Sequence, residues 1–176
     1  MTPETATPDT AQPGAQVIEA LAGVAPGSAL ATALVARAEI MRLSQASHDA
    51  VLVPQAPGGI DWAERAALAQ RMAHLNANEA LAAHYAGYLA RTGESDRLAV
   101  VAHPGGAIAS DPRLAAIVAH ADLLTIAPRE ATRGHIEALK LAGIEEADIV
   151  RLSELAAFVN YQVRVIAGLR LLTGVL

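Results

Sequence analysis

A histidine and a tyrosine stand side by side at positions 84 and 85, with Asn78 and Glu79 less than two helical turns before them. Imidazole gives or takes a proton near neutral pH, a phenol donates to a carbonyl or carboxylate, and a carboxylate accepts a proton. Tyr85, His84 and Glu79 are therefore candidate catalytic groups, and Asn78 and Tyr85 candidate ligand-binding ones. Each also has a structural reading. His84 suits a packed or surface histidine, Tyr85 a core tyrosine with a satisfied hydroxyl, Glu79 a solvated face, and Asn78 a helix cap. Asn160 and Arg164, four apart, share one helix face. They suit an anionic ligand, or a buried polar contact between helices or subunits.

Composition removes several function classes. The 176 residues contain no cysteine, which excludes disulfides, thiolate metal sites and cysteine redox chemistry by this chain alone. The six histidines, at 48, 74, 84, 103, 120 and 135, include no pair three or four apart, so no helical metal-ligand pair exists and no metal or other cofactor is expected. Net charge is −5 with no basic run, which argues against nucleic acid. The C-terminal run "LAAFVNYQVRVIAGLRLLTGVL" is long enough for a membrane span but carries Asn160, Gln162, Arg164 and Arg170, each costly at bilayer depth. With no signal-peptide pattern at its start, the chain reads as cytoplasmic. A mean hydropathy of +0.31 for such a chain points to apolar surface buried in a homo-oligomer.

The elements that must position these residues are helical. Apolar content is 53% with only 3% aromatics, so it is mainly Ala, Leu, Val and Ile. Residues 1–15 read as a disordered tail and 16–176 as a single domain. Helices are expected over 16–25, from a Ser28 cap to Val53, and from an Asp61 cap through Arg91 with a break near Leu75-Asn76. Others follow the Asp111-Pro112 and Thr132 caps, and a last one runs from about Glu146 to Leu172. "RLAVVAH" (97–103) is the single, short strand candidate, and "HPGGAIAS" reads as a flexible loop. The pattern is all-α.

Two stretches resemble the alkylhydroperoxidase D-like, or carboxymuconolactone decarboxylase, superfamily. "ERAALAQRMAHLNANEALAAHYAGYL" (64–89) resembles its core helix pair, which carries Cys-x-x-Cys-x-x-x-His. "LKLAGIEEADIVRLSELAAFVNYQVRVIAGL" (139–169) resembles the C-terminal stretch of its peroxidase-related branch, where Asn160 and Arg164 match the pattern. The resemblance covers most of residues 60–172 and implies an oligomeric helical bundle built as dimers, trimers or hexamers. Aligned on Leu75-Asn76, the two cysteines fall at Asn78 and Leu81, the relay histidine at Tyr85 and the activating glutamate at Ala66. By that alignment the chain is a degenerate member without the thiol pair, and neither leucine nor asparagine replaces a thiolate nucleophile.

Three functions follow. The favoured one is a non-catalytic oligomeric binding or partner protein, with a small-molecule ligand possible. A second is thiol-independent acid–base chemistry on a small unsaturated acid or lactone through His84, Tyr85 and Glu79. The third is an accessory subunit of an active, cysteine-bearing paralogue.

Overall fold

Nine α-helices and one 3-10 turn make up the described residues of the computed structural model, which are 16–106, 108 and 111–174. The tail expected over 1–15 lies outside them. The helices are α1 (Val17–Ala22), α2 (Ala29–Val35), α3 (Ala38–Leu52), α4 (Trp62–Leu75), α5 (Glu79–Thr92), α6 (Ser95–Ala102), α7 (Pro112–Ile126), α8 (Arg133–Leu141) and α9 (Glu146–Thr173), with the 3-10 turn at Pro128–Glu130 between α7 and α8. The described residues contain no strand, and the fold is an all-α bundle.

Helix α4 is the axis. Every residue from Ala63 to Ala73 is buried, and α3, α5, α6, α7 and α9 pack around it. Its alanines make this possible, because small side chains let neighbouring helices approach on all sides. Its start is fixed locally: Asp61 accepts from Glu64 N at 2.7 Å while the Glu64 carboxylate accepts from Asp61 N at 3.2 Å, the reciprocal box expected from sequence.

Two buried arginines of α4 tie it to its surroundings. Arg65 is 2% exposed and donates to the carbonyls of Ile60, Val51 and Pro57 at 3.0, 2.9 and 2.8 Å. It thereby gathers the proline- and glycine-rich loop that joins α3 to α4. Asp148 of α9 holds the same loop through Gly59 N at 3.0 Å. Gly58 there has a φ of 71°, which favours glycine, and a Cβ would also displace the ends of the Asp148 and Arg151 side chains. Arg71 forms a two-pronged pair with Asp122 of α7 at 2.6 and 2.7 Å and donates to the carbonyls of Val101 and His103.

Three expectations change. The helix expected from Ser28 to Val53 is two, because Ala36 and Arg37 bond back three residues to Ala33 and Leu34 and Arg37 leaves helical geometry at φ −119°, ψ 13°. Helix α1 stops at Gly23, whose φ of 75° closes it before Pro26-Gly27. The strand candidate at 97–103 lies largely in helix α6, with Leu98, Val101 and Ala102 buried at helical spacing. Helix α9 has the length and composition of a membrane span, yet twelve of its residues are buried in the bundle.

Arg65→Lys tests the loop anchor. One ammonium cannot serve three divergent carbonyls, so the variant is expected to lose about 2 kcal/mol in urea unfolding. Unchanged stability would show that the loop holds itself.

Candidate functional site

The candidate residues are set by the joint between α4 and α5. Asn76 closes α4, donating from Nδ2 to Met72 O at 2.8 Å and to Asn160 Oδ1 on α9 at 3.1 Å. Ala77 follows at φ 53°, the one non-glycine residue in left-handed geometry among the described residues. Asn78 then starts α5, its Oδ1 accepting from Leu81 N at 3.2 Å, and it is buried. Of the two readings of Asn78, the cap is the one this geometry displays.

Further along α5, Tyr85 is fully buried and donates its hydroxyl to Gln162 Oε1 of α9. Burial pushes its phenol well above the ordinary range, so it stays protonated. The imidazole of His48, on α3, stacks near Tyr85 with centroids 6.1 Å apart. His84 reaches the same histidine from the adjacent face of α5, with Nε2 3.0 Å from His48 Nε2. His48 Nδ1 lies 2.9 Å from Asp49 Oδ1, to which Gln45 also donates at 3.0 Å.

The carboxylate fixes the tautomers of both rings. Asp49 only accepts, so His48 carries its proton on Nδ1 and accepts at Nε2. His84 must then donate from Nε2, which leaves its Nδ1 as the accepting nitrogen. The result is an Asp49–His48–His84 chain, edged by Tyr88, whose ring carries the Arg91 guanidinium 4.3 Å from its centroid. Burial is the main force lowering the pKa of both histidines, and it is reinforced at His84 by His48 and Arg91; His84 falls to about 4. Both rings are neutral at pH 7.

The other candidates do not join this group. Glu79 is exposed on the first turn of α5 and pairs with His74 at 3.1 Å. Asn160 and Arg164 share a face but not a side-chain contact. Asn160 is buried, donating to Ala156 O at 2.9 Å and Thr125 Oγ1 at 3.3 Å, whereas Arg164 is exposed and donates to the Asn160 carbonyl at 2.7 Å. Asn160 thus joins helices α4, α7 and α9, while Arg164 lies at the surface of the chain. His48, Asp49, Gln162 and Tyr88 were not singled out from sequence. Their only signal was a histidine and a glutamine on the inward faces of apolar helices. Among the described residues no group of three or more histidine, aspartate or glutamate side chains is placed to hold a metal ion.

No family profile matches the chain, and no curated protein matches it. Among solved structures, the fold is similar to that of an uncharacterized peroxidase-related protein from Silicibacter sp. TM1040. The two share 17% identity and a TM-score of 0.65, over 74% of this chain and 68% of that one. At this identity the likeness shows the helical fold alone.

Two outcomes test the site. Ala77→Gly relieves left-handed strain at an exposed position, offset in part by greater freedom when unfolded, for a gain of about 0.5–1 kcal/mol in urea unfolding. The histidine chain makes stability depend on pH. Unfolded His84 takes up a proton near its ordinary 6.5 and the folded one only near about 4, so stability is full above pH 6.5 and falls as the pH drops towards 4. Within that window His84 contributes a slope of up to about 1.4 kcal/mol per pH unit, and His84→Gln should flatten the profile by that share, leaving the part due to His48 and His120.

Proposed function

We propose that the chain is a peroxidase-related helical protein without thiol peroxidase activity, acting as an oligomeric, non-catalytic binding or partner protein. The observation that carries this reading is the state of the four positions to which the superfamily resemblance assigns the chemistry. Ala66 is 2% exposed, Asn78 7%, and Leu81 and Tyr85 0%. One is a cap, one is tied to Gln162, and two are core side chains. A peroxide needs a thiolate it can reach, and these positions offer neither sulfur nor access. Self-association is supported by apolar side chains left at the surface: Val35, Ile40 and Leu43 on α2 and α3, and Leu171 on α9, are 73%, 51%, 50% and 75% exposed.

A second reading has one specific observation in its favour, the Asp49–His48–His84 chain. There His84 Nδ1 would take a proton from a small unsaturated acid or lactone while Asp49, through His48, stabilises the charge. The pKa of about 4 counts against it: the imidazole is proton-free at pH 7 but a weak acceptor. Glu79, paired with His74, and Tyr85, held protonated, add no better base.

Purified protein given hydrogen peroxide or an organic hydroperoxide, with a dithiol reductant and chelator, should consume it no faster than a heat-denatured sample. Sustained turnover would overturn the non-catalytic reading. Turnover of an unsaturated acid or lactone that is lost in His84→Ala would instead establish the acid–base one. Sedimentation should show more than one subunit of this chain alone, whereas association only with a second, cysteine-bearing chain would make it an accessory subunit.

A further inference from the structure

A cleft of about 580 Å³ opens on the other side of α9, between α7, α8 and the 3-10 turn. That size falls within the roughly 300–1,000 Å³ typical of small-molecule sites. Leu124 of α7, Pro128, Ile136 of α8 and Ala157 of α9 give it mostly apolar walls, and His120 lines it from α7.

His120 is 5% exposed, and neither ring nitrogen has a hydrogen-bond partner among the described residues. A buried polar group without a partner is costly, so a double orphan calls for an explanation. The neighbouring polar groups cannot supply one. Asn160 is engaged with Asn76, Thr125 and Ala156, Ser153 donates to Ile149 O at 2.8 Å, and Thr132 is bonded to His135. Among the residues lining the cleft, His120 is the uncommitted donor and acceptor within an apolar wall.

The chemistry selects between head groups. Burial, reinforced by nearby His135, lowers the His120 pKa and keeps the ring neutral. Arg133, the cation at the mouth, has a side chain 92% exposed and lies 3.6 Å from Glu137. A carboxylate carried to His120 would lose its hydration without meeting a buried cation. A hydroxyl both donates and accepts, and it matches a neutral imidazole in either tautomer.

We propose that this cleft is a binding site for small apolar alcohols or phenols, with the hydroxyl bonded to His120 and the hydrocarbon part against Leu124, Ile136 and Ala157. The site is separate from the α3–α5 histidine chain and does not depend on the function assigned there.

The test is an NMR titration of the full chain carrying 15N-labelled histidine, with the His120 ring signals assigned through His120→Asn. Cyclohexanol and phenol are the probes, with cyclohexanecarboxylate and benzoate as charged counterparts. Both neutral probes should shift the His120 ring nitrogens saturably, and the carboxylates should not at equal concentration. Ala157→Phe fills the cleft from an exposed position on α9 and should weaken binding at least tenfold. No shift in the wild type, an equal shift in Ala157→Phe, or tighter binding of the carboxylates would each overturn the proposal. So would a change in subunit number on Ala157→Phe, which would assign the cleft to a second copy of the chain.

Discussion

The bundle depends on a cation placed where no water reaches. Arg65 sits inside α4 and spends its guanidinium on the carbonyls of Pro57 and Ile60 in the preceding loop and of Val51 in the last turn of α3. A loop that turns through prolines and glycines has few ladder bonds of its own, so its carbonyls need donors. Arginine supplies several in a rigid plane, which lysine does not. With the loop drawn in, Asp61 can cap α4, Gly59 can meet Asp148 of α9, and Glu64 can pair with Arg113 of α7 at 2.8 Å. The order of events in space is thus loop, axis helix, then the helices that surround it.

The same economy explains why polar residues are so frequent inside a chain rich in alanine. An alanine-lined helix buries little apolar area per residue, so specificity of packing must come from directional contacts. Arg71 to Asp122, Asn160 to Asn76 and Thr125, and Tyr85 to Gln162 each join a particular pair of helices. These bonds position the α5 residues more firmly than apolar contact would. They also commit functional groups: the Tyr85 hydroxyl is spent on Gln162.

What was legible in the sequence was local. The Asp61–Glu64 box and the Asp111-Pro112 start depend on residues at most three apart, and local pattern carries them. The break at Ala36-Arg37 was not legible because neither glycine nor proline marks it and three-residue back-bonding is open to ordinary side chains. The meeting of His48 and His84 was not legible either. They are 36 residues apart, and their contact exists only because α3 and α5 converge beside α9. His84 alone could be placed beside Tyr85; its partner, tautomer and lowered basicity belong to the tertiary arrangement. Asn160 and Arg164 share a helix face as their spacing requires, but which helices Asn160 would join is again set by the tertiary arrangement.

The burial of Ala66, Leu81 and Tyr85 bears on how this sequence can change over evolutionary time. A glutamate at 66 would enter an interior position with its charge unmatched, and a cysteine at 81 would leave a hollow where a leucine now fills space. A histidine at 85 would strand the Gln162 acceptor unless it bonded it in the same way. The first two changes therefore lower stability on their own. The interior of α4 and α5 thus works as a ratchet: single substitutions that add charge or remove volume there run uphill, whatever chemistry they later serve.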